Sequence, residues 1–404
     1  MNTKIDNYTS FVGEECIAGI RDLAKDLQGT TLLHVNSTSS GGGVAEMLHR
    51  LLPLFSDLGL KTRWEVLAGT PLFFQTTKTM HNALQGRDLP LTAEMKREYE
   101  AVNRRNAERI DLTADVVVIH DPQPAPFISY RSKKESSWFW RCHIDLSHPN
   151  SGVWQFLLEY AKLYDVAIFS SHKFVSDLGL LVAIVAPSID PLAEKNIDLT
   201  HEQIEAVYAR YEIPRDKSIL LQVSRFDIFK DPLGVIEVYN RVKKQCDCRL
   251  ILAGGGAADD PEGEAFIAQV REQASLDPQI HILPPQGQTQ LTDVEINALQ
   301  RGADIIIQKS LREGFALTVT EALWKKKPVV ATAVGGIPRQ VIDGKTGFLS
   351  DSITDTTSKV LRLLHDRQLA VALGMAGYKH VRDNFLITRH LEDYLRLMTL
   401  IARR

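Results

Sequence analysis

Short β-branched apolar runs alternate with helical stretches along nearly the whole chain, and few architectures accept that order. A run such as D-V-V-V-I-H (Asp115–His120) has no polar face to give to water. Strands of this kind belong to parallel sheets covered by helices on both faces. In a first series, Thr31–Val35, Asp115–His120, Phe139–Ile144, Val166–Ser170 and Leu181–Val185 read as strands. The apolar stretch Leu178–Pro187 reads as a buried strand, and Val44–Leu58 has helical spacing. A second series begins near Lys217, with strands at Ile219–Val223, Leu250–Ala253, Ile280–Leu283, Ile305–Ile307 and Val329–Ala331.

The expected fold class is therefore α/β, with two Rossmann-like, doubly wound parallel-sheet domains facing across a cleft. The domains are placed at 1–190 and 191–385, with the join between Pro187 and Pro214. The last helix, 386–404, can belong to either domain or cross back to the first. A length of 404 residues favours two or three domains over one. In open α/β sheets ligands collect at the carboxyl ends of the strands, and a cleft between domains is a usual small-molecule site.

Composition narrows the function classes. With 47 basic against 50 acidic residues the net charge is -3, which gives no support for a nucleic-acid partner. Four cysteines, Cys16, Cys142, Cys246 and Cys248, make no disulfide framework, and no nearby His/Cys pair completes a zinc set. No apolar run approaches the ~20 residues needed to span a bilayer. The polar segment Met1–Ser10 lacks an apolar signal core, so a soluble, cytoplasmic protein is expected.

The segment L-R-E-G-F-A-L-T-V-T-E-A-L (Leu311–Leu323) carries the most chemistry. Glu313 falls in a loop before a helix, and Glu321 in that helix's second turn. Gly314 permits close backbone approach, and the first-turn N–H groups with the helix dipole favour phosphate. Two acceptors flanking an anion cradle suit a molecule with hydroxyls at both ends and phosphate between them, such as a nucleotide sugar. Acidic residues near a helix start also arise simply by offsetting the dipole.

V-S-R-F-D-I-F-K-D (Val223–Asp231) follows a strand, so Arg225 and Lys230 emerge at a carboxyl edge. They suit a diphosphate clamp, Arg as a planar fork and Lys as a point charge. The alternative is a solvated loop with Asp227 and Asp231 as ion partners. Gly41-Gly42-Gly43 lies between a strand and a helix but is neither G-x-G-x-x-G nor a P-loop. Alone it reads as a turn; its functional use is close approach to phosphate or sugar. Gly254–Gly256 carries the same ambiguity. Arg141, His143 and Asp145 alternate, so a strand continuing through Ile144 points all three to one face. Asp121 is a further carboxylate at a strand end. No D-x-D pair is present, so no metal ligand is assigned, and phosphate charge falls to Arg225, Lys230 and helix N-termini.

Taken together, Glu313 to Glu321, S-R-F…K (Ser224–Lys230) and A-V-G-G-I-P (Ala333–Pro338) resemble the retaining glycosyltransferases of family 4, which have the GT-B fold. V-N-S-T-S-S-G-G-G-V-A-E, I-H-D-P-Q-P-A, W-F-W-R-C-H-I-D-L-S-H-P-N and A-G-G-G-A-A-D-D-P-E-G narrow the resemblance to the trehalose-forming branch. That resemblance implies transfer of glucose from a nucleoside-diphosphate glucose (UDP- or ADP-glucose) to free glucose, giving α,α-trehalose. It also admits a trehalose phosphorylase, which is similar through the same segments. Two other readings on this fold are a nucleotide-sugar epimerase and a non-catalytic sugar-nucleotide binder.

The resemblance implies roles residue by residue. Arg225 and Lys230 meet the donor diphosphate, Glu313 the donor sugar hydroxyls, and Glu321 the ribose. Gly314, Phe315, Ala316, Leu317 and Thr318 give backbone contacts, with Gly42 and Gly43 also on the donor side. His143 stands beside the transferred sugar. Asp121, Asp145 and Arg141 are assigned to the acceptor. No cofactor is required, with Mg as a non-structural aid. The partners are the nucleotide sugar and glucose or trehalose, and a homodimer stays open.

Overall fold

The computed structural model describes residues 3–39, 42–132, 135–175, 178–255, 261–285 and 290–402. Gly41 of the glycine triplet, and Gly256 with the start of A-A-D-D-P-E-G, lie outside the described residues. The chain divides into two units, Met1–Ser188 with Ile387–Arg404, and Ile189–Leu386.

In the first unit the strands are β1 (Thr31–Asn36), β2 (Lys61–Val66), β3 (Val116–His120), β4 (Ser137–Arg141), β5 (Val166–Phe169) and β6 (Leu181–Ile184). They pair in the order β2-β1-β3-β4-β5-β6, every pair parallel. In the second unit they are β7 (Ser218–Val223), β8 (Cys248–Ala253), β9 (Ile280–Leu283), β10 (Ile305–Gln308), β11 (Val329–Thr332) and β12 (Phe348–Ser350). Their order is β12-β11-β10-β7-β8-β9, again all parallel.

Each sheet therefore reverses its winding once: between β1 and β3 in the first unit, between β7 and β10 in the second. At such a switch point the flanking loops part and leave a crevice at the carboxyl edge.

The apolar runs form strands because both faces are covered. All five residues of β3 are buried, as are all six of β8. Trp138, Trp140, Tyr99 and Phe127 dominate the first core, and Tyr239, Phe226 and Phe348 join the aliphatic side chains of the second. Burying each large apolar side chain contributes about 1.5–3 kcal/mol. Helix starts are fixed locally. Thr200 with Gln203, and Thr292 with Glu295, form reciprocal capping boxes. The last helix, Ile387–Ala402, belongs to the first unit and packs with Glu14–Lys25 and Gly43–Asp57.

Two strand expectations need correction, and two strands, β2 and β12, were not expected. β4 ends at Arg141 and does not run on through Ile144. Cys142 N still donates to Ile168 O (3.0 Å), but His143 N turns to the Asp121 carboxylate (2.8 Å). Arg141, His143 and Asp145 thus do not alternate along one strand. β6 is half-buried throughout, because it is an edge with β5 as its one strand neighbour. β2, with charged Lys61, Arg63 and Glu65, and the three-residue β12 carry no continuous apolar run; both are edges.

Candidate active site

In the second unit the loops after β7 and β10 leave neighbouring strands at the switch point. The β7 loop is built on two aspartates. Asp227 Oδ1 accepts from Phe229 N (2.9 Å) and Lys230 N (3.2 Å), forming the 3-10 turn Ile228–Lys230. Asp231, in the left-handed region at φ 47°, accepts from Gly234 N (3.0 Å) and starts the helix Pro232–Val242. Gln222 Nε2 donates to Lys230 O (2.7 Å), and Leu311 N donates to Phe229 O (2.7 Å), so the two loops are tied together.

Lys230 Nζ lies 2.5 Å from Glu313 Oε2, with side chains 17% and 9% exposed. Ser310 Oγ donates to the same carboxylate oxygen at 3.2 Å. Lys309, the first residue after β10, pairs with Asp231. Arg225 instead turns outward, 66% exposed, with Asp227 at 3.2 Å. The structure thus joins Lys230 to Glu313 directly and leaves Arg225 separate from that pair. Three cations, Arg225, Lys230 and Lys309, each face a carboxylate. The loop is charge-balanced rather than a bare cationic patch, and any anion at Lys230 has to compete with Glu313.

Ala316 starts the helix Leu317–Trp324 from the left-handed region at φ 71°. A non-glycine residue there costs of order 1–3 kcal/mol and persists only where the surroundings hold it. Gln340 supplies that hold: its Nε2 donates to Phe315 O, and its Oε1 accepts from Thr320 Oγ1 (2.6 Å). Phe315 is buried with its ring 5.5 Å from that of Phe385. Glu321 is buried in the second turn, 3.8 Å from Lys195 Nζ. The first-turn amides of this helix present the anion-favouring end of its dipole beside the β10 loop.

The two glycines of A-V-G-G-I-P act from behind. A Cβ on Gly335, whose φ is 54°, stands 1.5 Å from Glu313 O. Gly335→Ala therefore drives the Glu313 loop out of place. Gly344 has a similar φ of 69° but open space, so Gly344→Ala carries only the left-handed cost of about 1–2 kcal/mol. Urea unfolding is expected to show a larger loss for Gly335→Ala than for Gly344→Ala. Equal losses contradict this packing. Gly254 is explained likewise, since a Cβ there meets Ser224 O at 1.7 Å; its role is strand packing.

In the first unit, Gly42 (φ 134°) caps the helix Gly43–Asp57 just beyond β1. Asp121, φ 64°, follows β3 and receives His143 N. Burial pushes the Asp121 carboxyl up to about 6, against the pull of the His143 amide and Arg141. Arg141 is fully buried and donates to Val185 O (2.7 Å), and Asp145 accepts from Ser147 N (3.0 Å). These three side chains therefore spend hydrogen bonds on backbone: Asp121 on the His143 amide, Asp145 on the loop after it, and Arg141 on the chain just past β6.

The sequence reading missed a chain of histidines. His34 Nδ1 lies 2.8 Å from His120 Nε2, and His120 Nδ1 lies 3.1 Å from His143 Nε2. The rings stack at 5.1 and 5.4 Å. Burial holds His34 down to about 3 and His120 and His143 well below the ordinary imidazole value, with Arg141 adding to the effect on the latter two. A signal existed: His34 and His120 are polar interruptions of T-L-L-H-V and V-V-V-I-H. Lys309, Ser310 and Gln340 were also missed, as was the pairing of Asp231 with Lys309; their contacts depend on strand order.

Among the described residues, no group of three or more His, Cys, Asp or Glu is arranged to hold a metal ion, and no helix is long and apolar enough to cross a membrane. Comparison with known proteins agrees with the fold and the motifs. Residues 34–176 match the family model for the trehalose synthase N-terminal domain, and residues 203–380 match glycosyl transferases group 1. The trehalose synthase of Thermococcus litoralis is 46% identical over 403 residues, covering 98% of this chain and 96% of its own. That of Rubrobacter xylanophilus is 42% identical, covering 97% and 95%. In fold, the chain is similar to the UDP-forming α,α-trehalose-phosphate synthase of Burkholderia xenovorans, solved with glucose-6-phosphate. The TM-score is 0.74 at 12% identity, with 92% of this chain and 100% of that one covered. Two six-stranded parallel sheets, the matched families and near-full-length identity place the chain in the trehalose synthase family of GT-B glycosyltransferases, as a hexosyl-transferring enzyme.

Proposed function

We propose that this protein is a retaining glucosyltransferase that moves glucose from a nucleoside-diphosphate glucose to free glucose, making α,α-trehalose. The observation that carries the proposal is the Lys230–Glu313 pair at the β7/β10 switch point, beside the N-terminus of Leu317–Trp324. A cation, a carboxylate and helix amides in one place suit a sugar joined to a diphosphate: charge to the phosphates, the carboxylate to hydroxyls.

The donor's diphosphate is assigned to Lys230, Arg225 and the backbone from Gly314 to Thr318, the donor sugar to Glu313, and the ribose to Glu321. Gly42 and Gly43 are assigned to the donor from the first unit. His143 is placed at the transferred sugar, with Asp121, Asp145 and Arg141 supporting the acceptor side. Positive charge grows at the anomeric carbon as the bond to phosphate lengthens. The receiving hydroxyl attacks from the same face, and the departing diphosphate oxygen takes its proton. The protein's share is positioning and charge stabilisation. No resident cofactor is proposed; Mg serves at most as an aid to the nucleotide.

Arg225→Ala then lowers kcat by a factor on the order of 10²–10³, as loss of a preorganised charge partner does. Because Arg225 is exposed, its stability cost stays within about 0.5 kcal/mol. An unchanged kcat removes Arg225 from the clamp.

The test of the function is a product assay. The protein is incubated with each nucleoside-diphosphate glucose plus glucose, with trehalose plus inorganic phosphate, and with maltose alone, since the name trehalose synthase also covers conversion of maltose. The proposal expects a non-reducing disaccharide from the first mixture. Turnover in the second or third mixture only overturns it in favour of a phosphorylase or a maltose-converting enzyme.

A further inference from the structure

The chain His34–His120–His143 starts on β1, continues on β3 and ends in the loop just beyond β4. Register pairs His34 with Val118, and His120 with Arg141. Counted along the chain, each step moves one strand across and two residues toward the carboxyl edge, the second step passing the end of β4. The chain runs from a fully buried ring, His34, to a half-buried one, His143, at that edge. It is used by no step of the mechanism above except at its last member.

Each imidazole–imidazole hydrogen bond contains one proton, so a neutral chain has two directions. In one, His34 Nδ1–H donates to His120 Nε2, and His120 Nδ1–H donates to His143 Nε2. His34 Nε2 is then a bare lone pair, and His143 carries its proton on Nδ1. In the other, every proton moves to the opposite nitrogen, and His34 Nε2–H becomes the terminal donor. His34 Nε2 is buried and has no hydrogen-bond partner among the described residues. A buried N–H without an acceptor is rarer and costlier than an acceptor without a donor. The first direction is favoured.

We propose that His34 and His120 are positioning residues that hold His143 as the Nδ1–H tautomer, so that His143 meets a substrate oxygen as a hydrogen-bond donor and not as a base. That the ligand atom is a substrate oxygen rests on the function proposed above; the tautomer does not. His143 Nε2 is occupied by His120, and Nδ1 is neither bonded within the described residues nor among the buried unpaired atoms. The nitrogen left to face a ligand therefore carries the proton. That agrees with a reaction in which the leaving diphosphate, not the protein, accepts the hydroxyl proton.

Two readouts test this. The first is two-bond 15N–1H correlation on the full chain labelled with 15N-histidine, with His143 assigned through His143→Gln. The wild type is expected to show His143 protonated at Nδ1. In His120→Leu, and to a lesser degree in His34→Phe, the signal shifts toward the Nε2–H or doubly protonated form. An Nε2–H signal in the wild type overturns the proposal, and so does an unchanged tautomer in folded His120→Leu. Should either variant fail to fold, the wild-type spectrum still decides.

The second readout is the order of activities. An asparagine amide can stand where the ring's Nδ1–H stands, so His120→Asn keeps the donor to His143, whereas His120→Leu keeps only apolar bulk. Positioning predicts that His120→Leu loses about 10- to 100-fold in kcat with KM little changed, taking as guide the loss of a metal-bound imidazole's outer partner. His120→Asn recovers most of it. A role in packing alone predicts the reverse order and overturns the proposal. A wild type with no glucosyl transfer and a His143 Nδ1–H signal defeats the functional reading while leaving the tautomer assignment standing.

Discussion

Lys230→Ala is expected to lower turnover by a factor on the order of 10²–10³ and also to destabilise the second unit, a combination that Arg225→Ala does not share. The catalytic loss follows from removing a preorganised charge from the departing diphosphate. The stability loss follows from what is left behind. Glu313 is 9% exposed, and its Oε2 has Lys230 at 2.5 Å and Ser310 Oγ at 3.2 Å. Breaking a fully buried ion pair from one side costs about 3–5 kcal/mol, chiefly through the stranded charge. Lys230 is 17% exposed and Ser310 still donates, so a smaller cost of about 2 kcal/mol is expected. Adding Glu313→Gln removes the stranded carboxylate and is expected to recover stability without turnover. Urea unfolding and steady-state kinetics on the three variants check this. Normal turnover in Lys230→Ala takes the lysine out of the mechanism, and unchanged stability takes the pair out of the fold.

The first unit is expected to lose stability steeply as pH falls from about 6.5 to 5. His34, His120, His143 and His390 all have their imidazole pKa values pushed down, with burial the leading cause in each. A group whose folded value is depressed binds fewer protons folded than unfolded, so stability falls with pH once the unfolded form begins to protonate. For His34, held to about 3 against an ordinary 6.5, the loss at pH 5 is about 2 kcal/mol, and the other three act in the same direction. Asp121 opposes them. Its carboxyl is raised from 3.8 to about 6, so the fold gains stability as pH falls through that window, by about 1 kcal/mol between pH 6 and 5. Four depressed histidines outweigh one raised carboxyl. Trp64, Trp138, Trp140 and Trp154 lie in the first unit and Trp324 in the second, so tryptophan fluorescence reports mainly on the first. Urea midpoints by fluorescence should fall between pH 6.5 and 5, and less steeply in His34→Phe. A flat profile contradicts neutral burial of these rings.

The central strands were legible because burial on both faces leaves continuous β-branched runs, as in β3 and β8. The edges were not. β2 is half-buried at a sheet edge and carries Lys61, Arg63 and Glu65; β12 is too short for a periodic signal; β6 has the apolar composition of a buried strand but lies at an edge. The Glu313–Glu321 segment was legible down to the turn, since a glycine, an aromatic and a following Ala/Leu pattern place the helix locally. What sequence could not supply was which loops meet. Lys309 with Asp231, Lys230 with Glu313, and His34 with His120 are separated by 78, 83 and 86 positions and meet only through strand order. The Arg225–Asp227 pair is the exception: it spans two positions and was open to reading from sequence. Of the two loop aspartates that the sequence offers as ion partners, Asp227 pairs with Arg225, whereas Lys230 goes to Glu313 and Asp231 to Lys309.

Protein cations and helix amides of the second unit are proposed to hold the donor's diphosphate without a divalent ion. Calorimetric titration of a nucleoside diphosphate in the presence of EDTA tests it most directly. The account predicts saturable binding to the wild type in EDTA, with affinity at least about tenfold weaker in Lys230→Ala, the loss of one charge-assisted contact. Binding that needs added Mg, or that is equally tight in Lys230→Ala, would contradict it.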